Sequence, residues 1–384
     1  MTSEFLTKLL TEKHISEKEI DKLAYSTDSS ALEGSTPLIL WPTTREQVHQ
    51  IILYAKRNKQ DLIARGSGTN LTGSTIPNNS IIMDLSKMNK ILEASKSSMY
   101  VIVQSGIILY NLNRLLKPQN LEFPIKPLSH KLATIGGLIS TNATSGSLKY
   151  PLSSLISELE IIDGSGKLLI IKGSKIRDFL GTQGTLGVIT KAKLKLMEIP
   201  KRSYNIYEFE TIQELIQKTN RLKENESILS LFFISKTVSN LTSQEPKHYL
   251  IAEYEGQEGL ITEKSEIKNT EELKENVYPQ LASNDYIYLE SCNVEENLFN
   301  ALLYFEKNNI PSFGYIGTET IYFCVENRKK SKEIFTYLQS IGSPSQLAAG
   351  LTKKQFVKDE VKENLLKLKL QYDPENILNI RKVV

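Results

Sequence analysis

Cysteine is scarce in this 384-residue chain. Only Cys292 and Cys324 are present, far apart and without a C-x-x-C pair. That argues against a disulfide framework and against a cysteine-ligated iron–sulfur cluster. Long apolar runs are also missing. No stretch is long enough to span a bilayer, and Met1 to Leu10 lacks the apolar core and small-residue cleavage site of a signal peptide. The expectation is a soluble, cytoplasmic protein. An excess of one charge is missing too. The net charge is +3, and lysine is scattered among glutamate, so no nucleic-acid footprint stands out. Internal repeats and low-complexity linkers are absent. What remains is a chain with 40% apolar residues, ordinary for a globular protein and long enough for two domains or more.

Against this background one stretch stands out, Arg65-Gly66-Ser67-Gly68-Thr69-Asn70-Leu71-Thr72-Gly73-Ser74. It follows the strand-like Leu62-Ile63-Ala64. Gly66, Gly68 and Gly73 can adopt positive φ, so successive main-chain N–H groups can converge on an anion. Ser67, Thr69, Asn70 and Ser74 add short side-chain donors, and Arg65 adds a forked positive charge. These parts suit a phosphate or diphosphate, though taken alone such a loop is more often a plain connection. The pattern is not a P-loop, because no Lys-Ser or Lys-Thr follows the glycines. The dinucleotide fingerprint is excluded by glycine spacing.

Upstream, Phe5, Leu9 and Leu10 and then Ile15, Ile20 and Leu23 recur at helical spacing. Leu38 to Trp41 reads as a strand, and Val48, Ile51, Ile52 and Ala55 as the buried stripe of a helix capped by Thr43 or Thr44. This strand–helix–strand succession predicts parallel pairing, with the glycine loop at the carboxyl end where such units place ligands. Strands follow at Ile81–Leu85 and Tyr100–Gln104, then a helix over Leu109–Leu116. Residues 123–145 read as loop-rich. There Gly136 and Gly137 are either packing glycines or points where a ligand reaches the backbone. A hairpin covers 155–172, and a second glycine-rich run, Gly181 to Thr190, leads into a strand ending near Met197. Residues 203–326 alternate strand-like and helix-like pieces, which suits helices on one face of an antiparallel sheet. Two helices are expected over 330–370.

Four segments therefore stand in one order: Arg65 to Ser74, Pro127 to Gly137, Thr141 to Gly146, and Gly181 to Thr190. This series resembles the FAD-binding domain of the PCMH-type, vanillyl-alcohol oxidase superfamily. Within it the chain is similar to the glycolate oxidase and D-lactate or D-2-hydroxyglutarate dehydrogenase branch. The likeness covers roughly Tyr25 to Pro200 and resumes at Asp373-Pro374-Glu375-Asn376-Ile377-Leu378-Asn379. It implies an α+β architecture: a two-subdomain FAD-binding domain over 33–200 behind an N-terminal helical segment, 1–32. An α+β cap with an antiparallel sheet follows over 201–329, then C-terminal helices and a tail over 330–384 that return to the flavin. It further implies that Arg65, Gly66, Ser67, Gly68, Thr69 and Asn70 cradle the FAD diphosphate. Gly73, Ser74, Thr134, Gly136, Gly137, Thr141, Asn142, Ser145 and Gly146 would line the ribityl chain and ring, and Pro127 and Ser129 would also bind the cofactor. Gly184, Thr185, Gly187 and Ile189 would hold the adenosine half, and Asn379 would lie near the isoalloxazine edge. Covalent attachment in relatives uses His or Cys. The loop Arg65 to Ser74 has neither, so FAD is expected to be noncovalent.

The departures from that branch also inform. Its metal element, H-x-G-D-G-N-x-H, is matched here by Tyr315-Ile316-Gly317-Thr318-Glu319-Thr320-Ile321-Tyr322, with tyrosine at both histidine positions. Its E-H-G element is matched by Ser345 to Gly350, again without ligands. No catalytic metal is therefore expected. The implied activity is transfer of a hydride from a small 2-hydroxy acid or similar alcohol to FAD, with Tyr315, Tyr322 or Glu319 as candidate proton acceptors and His130 as a further one. Tyr315 and Tyr322 also fit as ordinary half-buried sheet residues. Two other functions remain open: a flavin-carrying subunit that works with a redox partner protein, and a nucleotide-binding scaffold without catalysis.

Overall fold

The computed structural model describes residues 4–382 except 145, 243, 284, 285, 287, 295, 296, 343–349 and 358. The chain divides into two compact units. The first is built from 1–143, 152–198 and 347–384, the second from 144–151 and 199–346.

In the first unit, strands β1 (Ile15–Ser16), β2 (Ile39–Leu40), β3 (Leu62–Arg65) and β4 (Ile81–Asp84) form a sheet in the order β1-β2-β4-β3. Both β2 and β3 run parallel to β4. The strands that flank the helix Arg45–Arg57 are therefore parallel, as expected, but β4 is inserted between them. The sheet is apolar on both faces because residues alternate between two cores. Leu40, Leu62, Ile81 and Met83 pack with Val48, Ile51, Ile52 and Ala55 of the helix. Ile39, Ile63 and Ile82 pack on the other side with Tyr25 and Trp41. Each such aliphatic side chain contributes about 1.5–3 kcal/mol when fully buried. Thr44 starts the helix by accepting a hydrogen bond from Gln47 N at 3.2 Å.

Strands β5 (Ile91–Ser95), β6 (Tyr100–Gln104), β7 (Leu121–Glu122), β8 (Ile156–Asp163), β9 (Leu168–Lys172), β10 (Gly187–Lys195) and β11 (Met197–Glu198) complete this unit. Five of them form an antiparallel sheet in the order β5-β6-β10-β8-β9, and β11 pairs with β7. Between β7 and β8 lies the helix Ile135–Thr141, in a stretch that reads as loop from sequence. Gly136 and Gly137 lower its helix propensity, and its position is fixed by tertiary contacts described below.

The second unit has one six-stranded antiparallel sheet: β12 (Arg202–Phe209), β13 (Ile228–Ile234), β14 (His248–Glu255), β15 (Tyr288–Asn293), β16 (Ser312–Tyr315) and β17 (Thr320–Val325), ordered β12-β14-β13-β16-β17-β15. The helix Leu298–Lys307 lays Phe305 against Phe323, ring centroids 5.2 Å apart. The helix Ile212–Lys223 begins in a capping box formed by Thr211 and Glu214. A longer helix runs from Lys264 to Ala282.

Candidate functional site

The loop after β3 is held from behind by the residue expected to face the anion. Arg65 is buried, and its Nη1 donates to Thr27 O at 2.9 Å and Tyr25 O at 3.4 Å. The guanidinium carbon sits 5.0 Å from the Tyr25 ring centroid. Burial pulls its pKa down, while Asp28 and Asp84 act to hold the charge. Arg65 Nη1 is thus engaged by the protein's own carbonyls, which ties the guanidinium to the segment 25–27. Gly68, at φ +69°, is required because any Cβ there would overlap the Arg65 guanidinium. At Gly66 a Cβ would overlap Thr134 Oγ1. Ser67 is exposed and Thr69 half-buried. Asn70 folds the rest of the loop: its Oδ1 accepts from Thr72 N (2.7 Å), Thr72 Oγ1 (2.8 Å) and Ser74 N (3.1 Å). Gly73 then turns at φ +75°.

Thr134 links this loop to the helix Ile135–Thr141. It caps the helix by accepting from Gly137 N at 3.2 Å. Gly136 N donates to Ser105 O at 2.7 Å, and a Cβ on Gly136 would lie 2.8 Å from Ser105 Cβ. Gly136 is therefore a close-packing position. Thr141 Oγ1 donates back to Gly137 O at 2.8 Å, and Asn142 ends the helix at φ +47°. Pro127 and Ser129 shape the turn that leads in. Pro127 O accepts from His130 N at 2.9 Å and lies 3.1 Å from His130 Nδ1, while Ser129 O accepts from Ala133 N at 2.8 Å.

The run 181–190 is wholly buried. Its centre is Gln183, a residue the sequence reading passed over, at φ +57°. Gln183 N donates to Ser140 O at 2.8 Å. Its Oε1 accepts from Asn70 Nδ2 at 3.1 Å and Ser74 Oγ at 2.5 Å, and its main-chain O accepts from Asn379 Nδ2. Gly184 turns beside Asn379, with φ +72°. Thr185 O accepts from Lys369 Nζ at 2.8 Å. Gly187 and Ile189 lie in β10, opposite Asp163 and Ile161 of β8. A Cβ on Gly187 would lie 2.5 Å from Ile161 Cγ2, so sheet packing accounts for that glycine.

The C-terminal tail closes this shell. Asn379 N donates to Leu62 O at 2.9 Å, and Leu62 N donates to Ile377 O at 2.8 Å. Lys369 Nζ bonds Asp373 Oδ2 and Leu378 O, both at 2.6 Å, and Asp373 accepts from Ile377 N and Leu378 N. The buried Lys382 donates to Gly73 O at 3.3 Å and to Ile76 O. Lys382 and Ser105, like Gln183, carry no sequence motif. The one available signal is for Gln183, a long polar side chain placed between Gly181 and Gly184.

Three buried atoms in this shell have no hydrogen-bond partner: Ser105 Oγ, Gln183 Nε2 and Asn379 Oδ1. A buried polar group left unmatched costs about 1–3 kcal/mol. Their concentration among segments drawn together from five parts of the chain fits a polar ligand received in this unit.

Gly146 belongs to the second unit, where at φ +70° its Cβ would lie 2.7 Å from Tyr315 Cε1. Ser145 lies outside the described residues, as does most of the segment Ser345 to Gly350. Tyr315 and Tyr322 share one face of the sheet, since Tyr322 is opposite Phe313 and Tyr315 follows two residues on. Tyr315 meets Phe232 edge-on at 5.2 Å, and Tyr322 stacks on Phe313 at 5.8 Å. Burial pushes the Tyr322 pKa up to about 12 and that of Tyr315 well above its ordinary value. Both are phenols that hold their protons at neutral pH, so they suit hydrogen-bond donation and not proton abstraction. Glu319 is the left-handed residue between β16 and β17, at φ +57°. Its Oε1 is paired with Lys223 Nζ at 3.1 Å, which accounts for its carboxylate structurally. Among the described residues no group of three or more His, Cys, Asp or Glu side chains is arranged to hold a metal ion. No helix among them is long and apolar enough to cross a membrane.

The model of the FAD binding domain family matches residues 36–172. The glycolate oxidase subunit GlcD of Bacillus subtilis is 29% identical over 211 residues, a match covering 52% of this chain and 45% of that protein. The mitochondrial D-2-hydroxyglutarate dehydrogenase of Danio rerio is 22% identical over 446 residues, covering 98% and 83%. Among solved structures, p-cresol methylhydroxylase with substrate bound superposes with a TM-score of 0.74 at 14% identity, covering 97% of this chain and 94% of that one. That likeness establishes a shared fold.

Proposed function

From the match of residues 36–172 to the FAD binding domain family, we propose that the chain is an FAD-dependent oxidoreductase of the PCMH type acting on the CH–OH group of a small 2-hydroxy acid. The observation that carries the cofactor site is the convergence of Gly66, Asn70, Ser74, Thr134, Gln183 and Asn379 around unmatched buried polar atoms in one compact unit. The relatives named as glycolate oxidase subunit and D-2-hydroxyglutarate dehydrogenase support the substrate class.

When bound, FAD supplies a two-electron acceptor for the hydride. The chain's own residues do the rest. The stretch 66–70 would offer main-chain N–H groups to the diphosphate, Thr72 N and Ser74 N being taken by Asn70 Oδ1, and Arg65 fixes that loop from beneath by its bonds to Thr27 and Tyr25. Gly136, Gly137, Thr141, Asn142, Gly184 and Thr185 shape the walls. With no His or Cys in the loop Arg65 to Ser74, FAD is held noncovalently. Tyr315 and Tyr322, protonated because they are buried, would act as hydrogen-bond donors toward a substrate oxygen, while the hydroxyl proton given up with the hydride would pass to solvent water. The reaction runs without a catalytic metal, a reading supported by tyrosine at both ends of the tract 315–322.

The test is anaerobic reduction of the purified yellow protein by a panel of 2-hydroxy acids. Rapid bleaching by one of them supports a self-sufficient dehydrogenase. EDTA treatment should leave that rate unchanged, and loss of activity restored by zinc would refute the metal-free reaction. A second reading is favoured by the absence of a proton acceptor at Tyr315 and Tyr322: a flavin-carrying subunit of a larger redox complex, for which bleaching would require a partner protein.

A further inference from the structure

The glycine loop is tied at three points to the segment that runs from Tyr25 to Ala31. At the loop's root, Arg65 donates to Thr27 O and Tyr25 O. At its exit, Thr75 donates to Asp28 Oδ2 through Oγ1 at 2.9 Å and through N at 3.3 Å. Between these ties, Gly68 O accepts from Ser29 N at 3.0 Å and from Ser29 Oγ at 3.3 Å. Ser29 is itself placed by a turn. Ala31 N donates to Asp28 O at 3.1 Å, and Asp28 Oδ1 accepts from Ser30 N at 2.9 Å. Gly68 stands at φ +69°, and a glycine leaves the peptide that follows it free to turn over. The bond from Ser29 removes that freedom. In a planar trans peptide the C=O and the N–H point in opposite directions. With the Gly68 carbonyl drawn to Ser29, the Thr69 N–H of the same peptide points away from the segment 25–31. Gly68 and Thr69 are half-buried, so neither is closed off from solvent.

We infer that Ser29 is a positioning residue for the cofactor: it holds the Gly68–Thr69 peptide with its N–H turned toward the diphosphate. This deepens the cofactor reading and rests on it. The opposite peptide orientation would set a carbonyl oxygen against the anion, so a single turned-over peptide exchanges an attractive dipole for a repulsive one. The main-chain N–H of Ser29 is the nearer of its two donors, so the residue acts chiefly through its backbone. Asp28 and the turn it closes are the support that aims that N–H.

The experiment titrates the apoprotein with FAD, following the fluorescence of Trp41 and of the flavin. Ser29→Pro deletes the N–H, and proline is favoured at the second position of a turn such as Asp28–Ala31. Ser29→Ala keeps the N–H and loses the hydroxyl alone. Ser29 is exposed, so neither change touches the core. FAD affinity should fall at least about tenfold in Ser29→Pro, the loss of one charge-assisted hydrogen bond. In Ser29→Ala it should stay within about threefold of wild type. A loss in Ser29→Pro no greater than in Ser29→Ala would overturn the role of Ser29 while leaving the cofactor reading intact. Failure of wild-type protein to bind FAD at all would overturn both. A second measurement uses the unmodified protein, so it stands even where Ser29→Pro misfolds. With isotope-labelled threonine, and the Thr69 amide signal assigned by its loss in Thr69→Ser, saturating FAD should slow the exchange of that amide with solvent. A Thr69 amide that exchanges as fast with FAD as without it would also overturn the proposal.

Discussion

Gly66 is the glycine of the phosphate loop with the least room for a side chain. A methyl group there would overlap Thr134 Oγ1, the atom that caps the helix Ile135–Thr141. Gly66→Ala should therefore push the loop and the helix cap apart. The expected cost is about 1–3 kcal/mol of stability, typical of overpacking, with at least a tenfold loss of FAD affinity. Urea denaturation and fluorescence titration check the two effects separately. In the second unit His248 is fully buried, with Nδ1 accepting from Lys236 N at 3.1 Å and Nε2 at 3.0 Å from Glu306 Oε1. An Nδ1 that accepts must be unprotonated, so Nε2–H donates to Glu306. Burial holds the His248 pKa below its ordinary value, against the pull of Glu306 and Glu210. A lowered folded pKa means that the unfolded chain takes up the proton first as pH falls. The stability contribution is therefore complete above about pH 6.5 and declines below it, by at most about 1.4 kcal/mol per pH unit. Urea midpoints measured from pH 8 to pH 5 should show this slope, and His248→Gln should flatten it.

At the scale of elements, the tail 373–379 is held by an ion pair. Lys369 and Asp373 are both buried, and Lys369 also serves Thr185 O and Leu378 O. Lys369→Met would leave the Asp373 carboxylate buried beside its remaining N–H donors, at a cost of about 3–5 kcal/mol. The urea midpoint should fall accordingly, and Lys369→Met combined with Asp373→Asn should recover part of the loss. Elements with regular apolar spacing were legible in the sequence. The stripe Val48, Ile51, Ile52, Ala55 is the buried face of the helix Arg45–Arg57, and the hairpin of β8 and β9 turns at the expected glycines. The helix Ile135–Thr141 was not legible, because Gly136 and Gly137 disfavour a helix locally and its hold comes from the Thr134 cap and from remote partners, Ser105 and Ile107 at its start and Gly181 and Gln183 at its end. The insertion of β4 between β2 and β3 also escaped, since parallel neighbours are set by long-range packing and not by chain order. The bonds of Arg65 Nη1 to Thr27 and Tyr25 were likewise not legible, since those carbonyls lie about forty positions away in the chain.

On the whole-molecule scale, the unit that holds the cofactor segments is assembled from three separate stretches of chain. FAD should therefore act as a tie among them. At 100 times its Kd a ligand that binds only the folded state adds about 2.7 kcal/mol, so saturating FAD should raise the melting temperature of the apoprotein by several degrees. Differential scanning fluorimetry with FAD, and with AMP as control, measures this. An unchanged transition would count against the site. The order of glycine segments and the ending Asp373 to Asn379 carried the cofactor in the sequence. The closing role of Gln183, Lys382 and Ser105 could not be read there, because each acts through partners more than thirty positions away.

Lys382 reaches back 309 positions to Gly73 O, and Asn379 N lies on Leu62 O. During synthesis the glycine loop leaves the ribosome long before the residues that complete its wall. Loading with the yellow cofactor must then wait until translation has passed this tail, so a stalled or shortened nascent chain would emerge colourless.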